Sequence, residues 1–370
     1  MKLDLIQDIE GFRSLKPEWN GLAARSFFDN PFLTFEWYEA WLEVFGDQGV
    51  VTIAAVRQEG RLIALAPLFL QRNKILTFIG YPQNDYAGFI IDRDYPEAAA
   101  LLASFVGQLK GKWRLAVFDQ ISEQDDSFEL LAKELQNQGL SFRVEPADKC
   151  PAMTLDDPEA ARKMYYKRNI TSYVNWFKRE GDFRYNIYTE RDEALSRLDD
   201  LFEQHIKRWE GTPTPSYFRN PSMTEFYRRM VEKMHPCGWI HFSSLTLDSH
   251  FLALYISLEY GNKLYFYKTC FNLDYAKKSP GQVILRYHLD YALSRGIVEL
   301  DFARGDEGYK DRFANRVRQS RRLIIYPSGW RQKAAQAFYD FRYSKLVDIL
   351  YRNRYAQQLK DWVLAKRRKR

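Results

Sequence analysis

With 370 residues the chain exceeds what one hydrophobic core usually serves, so two units of roughly 150 to 200 residues each are expected. A net charge of +7 and a pI near 9.0 favour an anionic partner, whether a nucleotide cofactor, a nucleic acid or a membrane surface. The 46% hydrophobic and 16% aromatic content argues against disorder, and Cys150, Cys237 and Cys270 are too few and too scattered for a disulfide framework or a zinc site. The first residues, Met1-Lys2-Leu3-Asp4-Leu5, carry acid within their apolar part, and no run approaches the roughly eighteen apolar residues of a membrane span. A soluble, cytoplasmic protein is expected.

In chain order, Asn30-Pro31-Phe32 leads into residues 35–45, where Trp37, Trp41 and Phe45 recur every fourth position and predict an amphipathic helix docked on a core. Apolar runs at 50–56 and 62–70 flank Gln58-Glu59-Gly60 and read as a hairpin. Strands follow at 76–79, 89–91 and 114–118, with helices at 96–109 and 127–139, the second closed by glycine. Residues 148–158, holding two prolines and no period, read as a linker.

The second half repeats the outline. Residues 161–179 form one very basic helix, residues 193–209 another that carries His205 and Arg208, and Thr212-Pro213-Thr214-Pro215 breaks the chain before a helix at 221–234. A hairpin at 239–258 turns on Asp248-Ser249, and an aromatic strand spans 263–271. Because Arg61-Leu62-Ile63-Ala64-Leu65 matches His250-Phe251-Leu252-Ala253-Leu254 after equivalent turns, the order of elements predicts a duplicated α/β unit. The expected domains are 1–155, 156–330 with the ligand site, and a terminal helix and basic tail at 331–370. Such a tail usually stays solvated, although an acidic lipid or RNA can bind one.

The two copies differ before their late helix. Lys277-Lys278-Ser279-Pro280-Gly281-Gln282-Val283 predicts a helix start in which Ser279 caps, Pro280 takes the first position and Gln282 completes a capping box. The amides of Gly281, Gln282 and Val283 beside Lys277 and Lys278 suit a phosphate, whereas Asp92-Arg93-Asp94-Tyr95-Pro96-Glu97 in the first copy would repel one. The same turn also reads as an ordinary cap with no ligand. A strand at 297–302 then delivers Asp301 near its end, followed by Arg304-Gly305-Asp306-Glu307-Gly308-Tyr309-Lys310, and α/β sheets place ligands at such ends. Asp306 equally suits a plain ion pair with Arg304 or Lys310, and His205, on an aromatic-rich face, suits a packed core. No His-Glu-x-x-His, Cys-x-x-Cys pair or Gly-x-Ser-x-Gly occurs, so metal and serine-hydrolase chemistry are not expected.

The groups Asn30-Pro31-Phe32 with Trp37 and Trp41, His205 with Arg208-Trp209, Tyr275 with Ser279-Pro280-Gly281, and Asp301-Phe302-Ala303-Arg304-Gly305-Asp306 with Tyr309-Lys310 resemble those of one family. It comprises the GNAT-like acyltransferases involved in cellulose and exopolysaccharide biosynthesis, relatives of the Fem peptidyltransferases. The resemblance covers roughly residues 28–330 and implies tandem GNAT domains, mixed sheets flanked by helices, with acyl-CoA (acetyl-CoA or longer) as donor over the Gly281 turn. One departure is Val283, at a position the family usually keeps small. The implied activity is acyl transfer to an amine, or a hydroxyl, of a sugar or nucleotide-sugar precursor of a surface polysaccharide. Asp301 or His205 is then the expected base; Tyr267, Tyr275 and Tyr309 could each protonate the leaving thiolate, and Tyr309 is the expected acid, with Asp306 in the same turn. The donor falls to Lys277, Lys278, Ser279, Gly281, Gln282 and Val283, and the acceptor to Tyr267, Lys268, Arg304 and Lys310. An aminoacyl-tRNA-dependent Fem-like ligase, and a non-catalytic module of a polysaccharide synthase assembly, are the alternatives.

Overall fold

The computed structural model describes residues 1–212, 215–327 and 331–343. Among them, thirteen strands join one sheet: β1 (Lys2–Ile6), β2 (Gly49–Gln58), β3 (Arg61–Gln71), β4 (Ile75–Phe78), β5 (Ile90–Ile91), β6 (Leu115–Ser122), β7 (Phe142–Thr154), β8 (Phe183–Tyr188), β9 (Ile240–Leu247), β10 (His250–Tyr260), β11 (Lys263–Phe271), β12 (Glu299–Asp301) and β13 (Arg316–Ile325). Their spatial order is β1-β2-β3-β4-β6-β13-β7-β12-β11-β10-β9-β8, with β5 beside β3.

The expected duplication is visible in the pairings. In the first half the β2/β3 hairpin is followed by β4, antiparallel to β3 and parallel to β6; in the second, the β9/β10 hairpin is followed by β11, antiparallel to β10 and parallel to β12. Both hairpins turn through two left-handed residues, Glu59 and Gly60 (φ 51° and 84°) and Asp248 and Ser249 (φ 47° and 68°), the twist that a two-residue connection requires.

The last strand of each half is exchanged. Instead of closing on its own half, β7 pairs antiparallel with β12 of the second, while β13 runs antiparallel between β6 of the first half and β7. The linker expected at 148–158 is therefore corrected: residues up to Thr154 lie in β7, and Pro158 opens a helix. The prolines misled because Pro151 sits at a strand position whose carbonyl, not its absent N–H, is used, accepting from Phe302 (2.9 Å).

Three large cores flank the sheet. Helices Phe35–Phe45, Leu198–Trp209 and Pro221–Met234 cover one face across both halves, and the stripe of Trp37, Trp41 and Phe45 is buried there, Trp37 meeting Phe226 edge-on at 5.2 Å. On the opposite face, helices Ala98–Gln108 and Ser127–Asn137 cover the first half. Helices Pro158–Tyr165, Arg168–Glu180 and Pro280–Arg295 cover the second. The single basic helix expected at 161–179 is thus two, broken at Tyr166 and Lys167, whose turn lets Tyr166 stack under Arg286 (3.8 Å) and bond Asp290. Gly296 stops the following helix at φ 68°, as expected. The terminal helix is seen as Arg331–Tyr343; its expected continuation to 364, the basic tail at 365–370, and Pro213 and Thr214 of the break lie outside the described residues. No helix among the described residues is long and apolar enough to cross a membrane.

Arg318 of β13 bonds Glu299 of β12 through both terminal nitrogens and lies 3.6 Å from Asp301, all three nearly excluded from water. Removing one partner of a buried pair strands the other's charge, so Arg318→Ala is expected to lower unfolding free energy by about 3–5 kcal/mol. Urea titration monitored by far-UV circular dichroism measures it; a loss below about 1 kcal/mol contradicts the role of this contact.

Candidate functional site

The site begins where two parallel strands part. β11 and β12 pair only at Lys263–Glu299, Leu264–Leu300 and Tyr265–Asp301. The Asp301 carboxylate then accepts the N–H of Ala303 (2.7 Å), which holds Ala303 at φ 53° and turns the chain out of the sheet. Phe266–Phe271 therefore has no strand partner on that edge among the described residues, leaving backbone donors and acceptors free. On its other edge, the register with β10 passes from Ile256–Lys268 to Ser257–Phe266, so Tyr267 is the extra residue of a bulge. The bulge sends Tyr267 and Lys268 together to the shared core face, the Lys268 ammonium lying 4.5 Å over the Tyr267 ring.

Beside this edge is a cavity of about 210 Å³. Thr269 and Phe271 of β11 form one wall, Ser279, Gly281 and Gln282 of the helix start another, and Arg208 and Tyr309 stand at the sides. A side chain at Gly281 would place its Cβ 3.2 Å from the Phe271 ring, so the approach of helix to strand depends on glycine here.

The helix start is built differently from expectation. Ser279 is left-handed (φ 46°, ψ 53°) and its side chain makes no cap bond, so the capping box with Gln282 does not form. Its carbonyl instead accepts the N–H groups of Gln282 (2.8 Å) and Val283 (3.0 Å), which leaves Gly281 the amide without a partner among the described residues. Val283 is fully buried in the second-half core, turned away from the cavity, so its bulk is accommodated by packing. Lys278 reaches over the Trp176 ring (4.6 Å) and Lys277 is exposed; neither lines the cavity. The cation that does is Arg208, whose guanidinium lies 4.2 Å over Phe271 and has no ion pair among the described residues.

Tyr309 is the expected acid that faces the cavity. Burial, with the neighbouring Tyr255 hydroxyl and Glu307, holds its phenol well above the ordinary range, so it stays protonated, and Tyr255 donates onward to the Gly281 carbonyl (3.2 Å). The two expected bases are not brought to it. His205 is buried, its Nδ1 2.8 Å from Ser216 Oγ and its ring stacked on Trp209; burial, with Lys268 and Arg208 nearby, pushes its pKa down to about 3. Asp301 is 1% exposed, accepts from Tyr86 (3.0 and 3.1 Å) and Ala303, and does not line the cavity. Burial, with Glu299 beside it, raises its pKa to about 6.

The remaining expected residues brace the turn, internally or against the first half. Arg304 bonds Asp85 (2.9 Å) and the Pro82 carbonyl (2.6 Å), Lys310 holds the Arg304 carbonyl (2.8 Å) and Glu307 (2.8 Å), and Tyr267 donates to the Gln83 carbonyl (2.9 Å). Asp306 is exposed and pairs with Lys149 at 3.2 Å. Sequence reasoning left Arg208, Tyr255, Thr269 and Phe271 out of the site. Alternation along the strand puts Thr269 and Phe271 on one face and was a usable signal, whereas nothing local points Arg208 at a turn some seventy residues on.

Residues 165–311 match the acetyltransferase (GNAT) domain family. No curated protein sequence matches the chain. Among solved structures it is similar to FemX (12% identity, TM-score 0.62, 92% of this chain and 99% of that one) and to L-PGS from Bacillus licheniformis (12%, 0.52, 84% and 95%). A tandem GNAT protein from the clavulanic acid biosynthesis pathway is similar as well (12%, 0.50, 89% and 100%). The α/β architecture is that of the GNAT fold in tandem, and these likenesses carry the fold alone.

An Asp carboxyl raised from 3.8 to about 6 binds its proton more tightly folded than unfolded. Its contribution to stability is full below the unfolded value and is lost as pH rises through the folded one. Relative to Asp301→Asn, the wild type is expected to lose about 3 kcal/mol between roughly pH 4 and pH 6 and nothing further above it. Parallel urea titrations across that window check this; a constant difference between the two proteins contradicts it.

Proposed function

We propose that this chain transfers an acyl group from a CoA thioester to an amine on a sugar or nucleotide-sugar precursor of a surface polysaccharide, with a hydroxyl as the second acceptor class. The observation that carries the reading is the free edge of β11 facing the Gly281 turn. An extended thioester arm can lie along that edge as a further strand would, with its anionic end at the Gly281 amide and Arg208. The residues present fit such a donor: a guanidinium with no ion pair among the described residues, a free helix-start amide and a protonated phenol border one cavity.

In the reaction the amine lone pair attacks the thioester carbon, the C–N bond forms and the C–S bond breaks. Tyr309 gives its proton to the departing sulfur and recovers one from water entering the cavity it borders. No carboxylate or imidazole among the described residues lines the cavity, so the acceptor enters as the neutral amine and its surplus proton leaves to water. Asp301 acts at one remove: by holding Ala303 it aims the turn that carries Tyr309. Tyr267, Lys268, Arg304 and Lys310 do not line the cavity, and their proposed part is to hold the turn and strand beside it, in a cytoplasmic setting.

One observation favours a second reading, an aminoacyl-tRNA-dependent ligase. Arg162, Lys163, Lys167, Arg168, Lys178 and Arg179 are all exposed on two helices and the turn between them, and Trp176 of the second helix carries Lys278, the neighbour of cavity-lining Ser279. Filter binding of tRNA decides between them: retention that falls steeply with salt supports the ligase, and none removes it.

The enzyme reading is tested by free-thiol release from acetyl-CoA and longer acyl-CoAs with a cell-derived acceptor extract. Tyr309→Phe is expected to slow release by about tenfold or more with donor affinity unchanged, and Arg208→Ala to weaken donor affinity by about tenfold. Absence of thiol release together with donor binding weaker than about millimolar excludes the reading and leaves a non-catalytic binding module.

A further inference from the structure

A second cavity, of about 440 Å³, opens on the first half between the start of β6 and helix Arg331–Tyr343. That volume falls within the ~300–1,000 Å³ usual for small-molecule sites. Its walls are Trp113, Pro327, Ala334, Ala335 and Phe338, and its rim carries Lys74 and Arg114. The backbone joins these two cations, the Arg114 N–H donating to the Lys74 carbonyl at 2.9 Å, and the Arg114 guanidinium lies over the Phe338 ring at 4.2 Å. Lys110 and Lys112 are exposed on the same loop. None of the four has a carboxylate partner among the described residues, whereas Asp340, on the facing helix, is already paired with Arg143 at 2.9 Å. Trp113 is 3% exposed, and its indole N–H has no acceptor among the described residues. An apolar hollow rimmed by such cations is complementary to one chemistry, a hydrocarbon chain ending in an anion.

We propose that this cavity binds an anionic alkyl amphiphile, its carboxylate or phosphate head between Lys74 and Arg114 and its first methylenes among Trp113, Ala335 and Phe338. Such a molecule comes either from a membrane, as a phospholipid, or free, as a fatty acid or alkyl phosphate. The contact of the Arg114 guanidinium with the Phe338 ring joins head and chain subsites in one surface.

Calorimetry on the full chain uses dodecyl phosphate below its micelle concentration, with dodecyl maltoside and inorganic phosphate as the chain-only and head-only probes. One dodecyl phosphate per chain is expected, with neither control binding. Lys74→Glu is expected to weaken it by about tenfold, and Ala335→Trp, which fills the hollow from a half-exposed helix position, to abolish it. Thermal melts confirm that both variants fold, and acyl-CoA affinity is expected to be unchanged in both. Equal affinity for dodecyl maltoside, equal affinity for inorganic phosphate, or dodecyl phosphate binding that survives both substitutions overturns the proposal. Co-sedimentation with vesicles of phosphatidylglycerol in phosphatidylcholine then separates the sources. Loss in both variants assigns the site to membrane lipid; retention alongside lost dodecyl phosphate binding assigns it to a free amphiphile.

Discussion

The molecule depends on one strand, β13, lying between β6 and β7. Its backbone ladders join the halves, and its side chains join them again, Arg318 to Glu299 and Asp301 of the second half and Arg322 to Asp119 of the first at 2.7 Å. A charge carried into a sheet interior is tolerated only where a counter-charge is held against it, so these pairs select the register in which each arginine meets its acid. The exchange of β7 and β13 also makes each half incomplete alone. Neither can leave without opening the other's sheet.

This arrangement places the cavity on the second half and makes the first its support. Both late strands carry a left-handed residue near an aspartate, but differently: Gln120 (φ 63°) follows Asp119 inside β6, which runs on to Ser122, whereas Ala303 (φ 53°) lies two residues past Asp301, where β12 has ended. The surroundings of the two positions differ as well. In the first half the segment after β4 folds across to the second, where Tyr86 bonds Asp301, Asp85 holds Arg304 and the Gln83 carbonyl accepts from Tyr267. The acid expected to repel a phosphate there, Asp92, is buried between Arg25 (2.8 Å) and Arg61 (2.9 Å). One copy keeps an open edge because the other has given up its own.

Burial separates the titratable groups, in the proposed reaction, into positioning and proton transfer. His205 and Asp301 sit in places where desolvation disfavours their charged forms, and each commits its polar atoms to neighbours that fix a turn or helix. Tyr309 is different: it borders a cavity, and burial keeps its proton on, the state that the proposed acid needs.

Much of this was legible in the sequence because it rests on neighbours. Period four in Trp37, Trp41 and Phe45 predicted the helix and its buried face, the paired turns at Glu59-Gly60 and Asp248-Ser249 predicted the hairpins, and their recurrence predicted a duplicated α/β unit. Gly281 and Tyr309 were expected at the site from a glycine at a helix start and a turn after a short strand, and both border the cavity. The tertiary structure alone decided the rest. Residues 148–154 read as a linker because their strand partners lie in β12 and β13, more than a hundred residues on, and pairing at that distance leaves no local period. Ser279 read as a side-chain cap, but the backbone takes a left-handed turn there and offers its carbonyl instead. Asp301 read as a base because a strand end places it near a ligand; Tyr86 and Arg318, from other elements, enclose it. Sequence determines which local conformations are favourable, while the electrostatic and solvent environment of a side chain is set by whatever the fold brings against it.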